Sequence, residues 1–463
     1  MRNIIKSIPV LFLLIAFQIA VAQPESIDSS KSRVAQTSGD ERIETLIQLS
    51  KANRTYDFDA CISIGLKAVM LAEKKKNFNL QALAIKSIGV SYLFEGELVT
   101  AIQYFEKSLD LYTNNNHLQG MANCLNNIGL VYLYRGNYIK AAEYYQLNYD
   151  IVKALDNKPD IASVLIQLGN VNYYRSNFHQ ALDNYYQAML IYSEIEDLSG
   201  KADAYYSLGI IYSELKNFEK ALEFYRFSES TYRKTGNLRD LSHVLNNMAK
   251  IYSFEYKEFE TAHLLYKQTL ELKKQLNDKI GIALLYNNIG TLFGNMKKYQ
   301  KAIEYFNKSK LLYEEIESKS GLMMVIFNIG QVYDERGDVQ LAIEMYSKSL
   351  KMAKTSDEVS YINQNYEALF HIYAQTCNYD QFDKYYRLFA IGKDTLIDRL
   401  YQAEMAEVEA RYKVEELLRD TSTLLENNEK KAKEIWKYKL ILAGIVCLFF
   451  LFLLFLFFNG RKK

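Results

Sequence analysis

Proline is nearly missing. The 463-residue chain has three, Pro9, Pro24 and Pro159, so little in it breaks a helix. Cysteine is scarce as well: Cys61, Cys124, Cys377 and Cys447 form no C-x-x-C pair, which argues against a disulfide framework or a zinc site. A dominant charge is lacking, with 56 basic residues against 55 acidic ones, so no global field favours nucleic acid and none is expected as a partner. The five histidines (His117, His179, His243, His263 and His371) fall in no HExxH and keep no constant position. Neither a GxSxG elbow nor a GxxxxGK[ST] loop occurs. Acidic pairs such as Glu314-Glu315 and Glu415-Glu416 sit among lysines, as solvated helix faces do. The expectation is a non-enzymatic protein with no catalytic residues, no metal and no cofactor.

Aromatic residues are abundant, with 38 tyrosines and 24 phenylalanines, and they recur on a fixed period. Glycines stand at Gly89, Gly129, Gly169, Gly209, Gly290 and Gly330, with Ala249 in the gap, a spacing of 40 that becomes 41 once. Ala101, Ala141, Ala181, Ala221, Ala262, Ala302 and Ala342 keep the same beat. Four residues after each comes an aromatic: Phe105, Tyr145, Tyr185, Tyr225, Tyr266, Phe306 and Tyr346. Small residues at fixed places let two helices approach, and the aromatic fills the space beside them. Gly96, Gly136 and Gly337 fall where a left-handed residue ends the first helix. Each unit therefore reads as a helix hairpin, and the chain as all-α.

This pattern resembles the tetratricopeptide repeat: small residue at position 8, aromatic at 11, alanine at 20, aromatic at 24, small residue at 27. Seven units carry it over residues 82–362, with weaker ones on either side. The period of 40 instead of 34 and the missing proline near the repeat's end match the longer-helix subgroup. The resemblance implies a right-handed superhelical solenoid over 42–395, with repeats starting near 42, 82, 122, 162, 202, 242, 283, 323 and 363, after an N-terminal linker at 23–41. No hairpin of this size buries its apolar face alone, so the units must stack, and degenerate outer ones act as caps.

In that family, first-helix positions 2, 5, 6, 9, 12 and 13 line the concave groove. The register puts Asn126, Asn127, Asn246, Asn247, Asn287, Asn288 and Asn328 at positions 5 or 6, and Tyr134, Tyr173 and Tyr174 at 12 or 13. Amides offer a donor and an acceptor together, suited to a peptide backbone. The same asparagines also admit a purely structural role, bonding within the hairpin link. The two-lysine, two-asparagine clamp for a terminal carboxylate is not in register, and Lys86 stands alone in it. The resemblance implies a peptide or protein ligand.

Both ends address a membrane. Residues 1–22 combine Arg2 and Lys6, an apolar core from Ile8 to Phe17, and Ala20-Val21-Ala22, as a cleaved signal peptide does; an uncleaved anchor is the rival reading. Leu440 to Phe458 is uncharged for 19 residues, about 28 Å as a helix and enough to span. Lysines load both flanks, so the export signal decides the orientation: repeats extracytoplasmic, residues 459–463 cytoplasmic, in the inner membrane. Residues 396–438 form a partial heptad through Leu396, Ala403, Ala410, Leu417 and Leu424. They read either as a rod pairing in a weak homodimer or as a solvated helix docked on the last repeat. Repeats, rod and membrane helix in that order resemble the sensor region of bacterial membrane-bound histidine kinases or helix-turn-helix regulators, without their effector. Two functions are therefore expected: a membrane-anchored binding scaffold, or the sensory half of a truncated or split signalling protein.

Overall fold

The computed structural model describes residues 24–393, with side chains from residue 29 onward. The chain divides into two compact units, Met1–Glu404 and Met405–Lys463, and the described residues all lie in the first. The segments read above as signal peptide, rod, membrane helix and tail (1–22, 396–438, 440–458 and 459–463) fall outside them. Among the described residues no helix is long and apolar enough to cross a membrane.

Those residues are all-α. Helix α1 (Pro24–Gln36) leads into the pairs α2 (Gly39–Asn53) and α3 (Phe58–Lys74), α4 (Phe78–Phe94) and α5 (Leu98–Asn114), α6 (Leu118–Tyr134) and α7 (Tyr138–Ala154). Next come α8 (Lys158–Tyr174) and α9 (Phe178–Glu194), α10 (Leu198–Glu214) and α11 (Phe218–Thr235), α12 (Leu238–Ile251) and α13 (Phe259–Gln275). The series continues with α14 (Lys279–Asn295) and α15 (Tyr299–Glu315), α16 (Lys319–Arg336) and α17 (Val339–Thr355). A last pair starts with α18 (Val359–Gln375) and runs into helical residues 379–393. The stretch read as a linker, 23–41, is thus largely the helix α1, which lies against α2. No proline or glycine interrupts it after Pro24 until Gly39.

Most helices run 17 residues and most links three, which gives the 40-residue period two equal halves. From α3 onward each link turns through one left-handed residue, and these fall 20 apart from Lys76 to Gly236. Glycine fills that place at Gly96, Gly136, Gly236 and Gly337; elsewhere lysine, asparagine, aspartate, glutamate, serine or cysteine does. The turn is closed by a backbone bond six residues back to one, as in Glu97 N to Tyr92 O at 2.9 Å. The next residue caps the following helix: Asn77 Oδ1 accepts from Leu80 N at 3.1 Å. Helices therefore begin at these caps, at Phe78, Leu118 or Lys158, a few residues ahead of the starts near 82, 122 and 162.

The single 41-residue spacing has a local cause. After α12 the chain makes a π-helical turn, Tyr252–Tyr256, which absorbs one extra residue before the left-handed Lys257.

Within a hairpin the helices meet at the periodic glycines. A Cβ at Gly169 would lie 2.4 Å from Tyr185 Cε1, so only glycine allows this approach. Serines tie the pair further, Ser108 Oγ donating to Ala82 O at 2.8 Å and Ser228 Oγ to Ala202 O at 3.0 Å. Between hairpins, each second helix contacts the next first helix. First helices also touch one another, α2 with α4, α4 with α6, α8 with α10, α14 with α16 and α16 with α18. The first helices therefore form the inner layer of the stack, and their free faces make its concave side.

Candidate functional site

A cavity of about 530 Å³ opens on this inner face, over α6, α8, α10 and the start of α12. Its wall follows the family's groove register. From α6 come Asn126, Asn127 and Leu130; from α8, Ser163, Ile166, Gln167, Asn170 and Tyr173; from α10, Asp203, Tyr206, Ser207 and Ile210. These occupy positions 2, 5, 6, 9 and 12 of repeats starting at 122, 162 and 202. Second helices supply the floor with Tyr185, Tyr192 and Tyr232. Asn237, Arg239 and Asp240 close the far side.

The polar groups of this wall are held by one another. The Tyr185 hydroxyl donates to Asn170 Oδ1 at 2.6 Å, and Asn247 Nδ2 donates to the Tyr206 hydroxyl at 3.1 Å. The Tyr232 hydroxyl donates to Asp203 Oδ1, and Asn237 Nδ2 to Asp240 Oδ2 at 2.6 Å. Burial pushes the Asp203 carboxyl up to about 7, helped by the negative charges of Asp240 and Asp197 and opposed by the Tyr232 bond. Burial raises Asp240 as well, against the pull of the Asn237 bond, Arg239 and Lys273. Burial likewise raises the phenols of Tyr185, Tyr206 and Tyr232. At neutral pH the site is thus a set of neutral hydroxyls and amides around carboxylates that are costly to ionise.

Of the ten residues the sequence singles out, Asn126, Asn127 and Tyr173 line this cavity. Asn247 touches it through Tyr206. Tyr173 donates to Glu214 Oε1 at 3.1 Å and meets Tyr174 edge-on at 5.4 Å between ring centres. Tyr174 in turn stacks on Tyr138 at 5.1 Å. Tyr134 is half-buried, with its phenol pushed up to about 12 by burial. The remaining asparagines join across repeats: Asn288 Nδ2 donates to Asn246 Oδ1 at 3.0 Å, and Asn328 Nδ2 to Asn287 Oδ1 at 2.8 Å. These bonds run between repeats and not within a hairpin link, and they use amide capacity that a ligand would otherwise take.

The sequence reading passed over Asp203, Asp240, Tyr206 and Tyr232. Asp203 and Tyr206 sit at positions 2 and 5, within the groove register, where the recurring amides do not mark them. Asp240 and Tyr232 lie outside the register: Tyr232 reaches the cavity from α11, the second helix of the same hairpin, and Asp240 only through the stacking of the next one. A second omission lies at the other end of the inner face. Lys86, alone within its own repeat, is joined by Lys51 and Arg54 of the preceding one; Lys51 is lowered by burial and then by the charges of Lys86 and Arg54. Arg54 is 5% exposed, donates from Nε to Ser91 Oγ at 3.1 Å and lies over the Phe94 ring. Burial lowers Lys86 too. Among the described residues no group of three or more His, Cys, Asp or Glu side chains could hold a metal.

The tetratricopeptide repeat family model matches residues 80–154, 160–234 and 281–355. These stretches are tetratricopeptide repeats, and the molecule is a helical repeat protein. Its fold is similar to that of a Rap protein complexed with competence and sporulation factor, at 13% identity and TM-score 0.52, covering 80% of this chain and 99% of that one. It is similar to the apo form of the quorum sensor NprR from B. thuringiensis, at 13% identity and TM-score 0.55, covering 79% and 99%. A third likeness is to a signal-transduction ATPase with numerous domains that carries a tetratricopeptide repeat sensor, from Pyrococcus horikoshii. There the identity is 16% and the TM-score 0.55, covering 78% of this chain and 55% of that one. At these identities the likeness is one of fold. No curated protein matches the chain.

Proposed function

We propose that this protein is a non-enzymatic scaffold that captures a peptide or protein segment on the concave face of its repeats, tethered to the inner membrane by residues 440–458 with the repeats on the extracytoplasmic side. The observation that carries the binding reading is the 530 Å³ cavity, whose wall is built from groove positions of three successive repeats. A wall that mixes ring faces with fixed amides and hydroxyls suits an extended backbone with spaced side chains. The Rap structure named above is complexed with competence and sporulation factor and NprR is a quorum sensor, which is in keeping with a ligand-binding role for this fold.

The test is affinity selection from a defined heptapeptide library on the full-length protein, compared with Ile210→Trp, which fills the cavity. Peptides enriched at least tenfold by the native chain, and released by the variant at an unchanged melting temperature, are the expected result. If the two proteins select alike, or nothing is selected, the cavity is not the binding site.

Topology has a built-in reporter. Cys377 is exposed, whereas Cys61 and Cys124 are buried. After Cys447→Ser, a membrane-impermeant maleimide added to intact cells should label Cys377. Labelling only after lysis would remove the extracytoplasmic reading. The order of repeats, heptad segment and apolar run also favours a second reading, the sensory half of a signalling protein. Under it, replacing residues 440–463 with an unrelated membrane helix abolishes the cellular response and leaves peptide capture intact; a scaffold tolerates the exchange.

A further inference from the structure

The concave face is electrically divided. Lys51, Arg54 and Lys86 gather near its start, where burial and then the charges of Lys86 and Arg54 lower Lys51. Three hairpins further on, the cavity wall collects Asp197, Asp203 and Asp240, with Arg239 as the basic residue among those lining it. Asp203 comes from α10, Asp197 from the link before it and Asp240 from α12, so folding brings together three carboxylates from separate places in the chain. Asp203 accepts from the neutral Tyr232 hydroxyl and Asp240 from the neutral Asn237 amide, while the charge of Arg239 also acts on Asp240. Lys273, close enough to act on Asp240, is itself bound to Asp278 at 2.8 Å.

Three carboxylates in a wall that supplies one guanidinium, Arg239, leave an excess of negative charge where desolvation makes it costly, and a further cation placed among them offsets that cost. Tyr206 and Tyr232 line the same cavity and are otherwise buried, at 5% and 1% exposure, which keeps the surroundings of the carboxylates poor in water.

We propose that the cavity is a subsite for a cationic group of the ligand, an ammonium or guanidinium seated between Asp203 and Asp240 against the rings of Tyr206 and Tyr232. The proposal rests on the binding reading above and names the chemistry of that same site. It also gives the ligand a direction, since the cations around Arg54 repel the group that the aspartates attract. The high affinity of Asp203 for its proton adds a signature. The groups facing it are Tyr192 from α9, Asp197, Tyr232 from α11, and Arg239 and Asp240 from α12. A bound cation favours the ionised carboxylate and expels that proton. Binding therefore strengthens as pH rises from 6 to 8.

The test uses full-length protein and heptapeptides acetylated and amidated at their ends, with Lys, Arg, Gln, Leu or Glu fixed at the central position. A parallel set with a free amino terminus separates a terminal ammonium from a side chain. The expected result is at least a tenfold preference for Lys or Arg over Gln, or for the free terminus over the acetylated one, stronger at pH 8 than at pH 6. In Asp203→Asn/Asp240→Asn the preference should fall below threefold; should that protein fail to fold, Asp240→Asn alone, which keeps an oxygen for Asn237, is scored instead. Peptides selected without regard to charge, or with Glu preferred, overturn the cation subsite and leave the binding reading standing. If no peptide is selected at all, both fall.

Discussion

Asp203 shows what a single residue in a repeat can record. Its partners are neutral and its surroundings dry, so its carboxyl holds a proton up to about pH 7. An acid whose folded pKa is raised above its unfolded value favours the folded state at low pH, and that contribution is lost as pH rises from the unfolded value toward 7. Asp203→Asn keeps the oxygen that accepts from Tyr232 and removes the ionisation. Relative to the native chain it should gain up to about 4 kcal/mol between pH 4 and pH 8, at about 1.4 kcal/mol per pKa unit. Chemical denaturation at the two pH values checks this; an equal difference at both would show that Asp203 ionises freely. Residue type and register place Asp203 in the groove, but not its protonation. That depends first on burial in the stacked repeats, and then on Tyr232, whose bond opposes the shift, and Asp240, whose charge adds to it, 29 and 37 residues further along the chain.

At the scale of the element, the 20-residue half-period is set by the links. Each needs one left-handed residue, and most links use a residue with a side chain. Sequence shows this only where glycine stands, at Gly96, Gly136, Gly236 and Gly337; Lys76, Lys216 or Lys297 in the same conformation carry no such mark. The neighbouring backbone bonds hold them there, as Asn217 N does by bonding to Tyr212 O at 2.9 Å. Lys216 has φ of 60° and costs more in this region than glycine would. Lys216→Gly should therefore stabilise the protein by about 0.5–1 kcal/mol in thermal melts. A loss of stability would mean that the lysine stem contributes more than its backbone strain removes. The π-turn at Tyr252–Tyr256 is the matching case for insertion, where one extra residue is taken up inside an element and both flanking hairpins keep their register.

Across the whole stack, contacts join neighbouring hairpins, so damage should stay local. Gly169→Ala forces a methyl to within 2.4 Å of the Tyr185 ring and should cost about 1–3 kcal/mol by overpacking. Hydrogen exchange in that variant should quicken in 118–235 and leave 319–375 at native rates. Uniform acceleration would instead mark the repeats as one cooperative block. The same scale explains the amide ladder of Asn246, Asn288, Asn287 and Asn328. A position-by-position register reads them as groove residues, and stacking turns them toward one another.

The sequence by itself determined the all-helical class, the 40-residue unit, the glycine–aromatic contact inside each hairpin and the first-helix positions that make up the inner face, because all of these depend on residues at fixed short spacing. Only the tertiary structure decided which groove positions face open space and which bond to the next repeat. It also decided that the acids meet at the centre of the inner face and the bases near its start. Those facts depend on residues from different hairpins, whose separation along the chain carries no local periodic signal and whose charges interact only once the repeats are stacked.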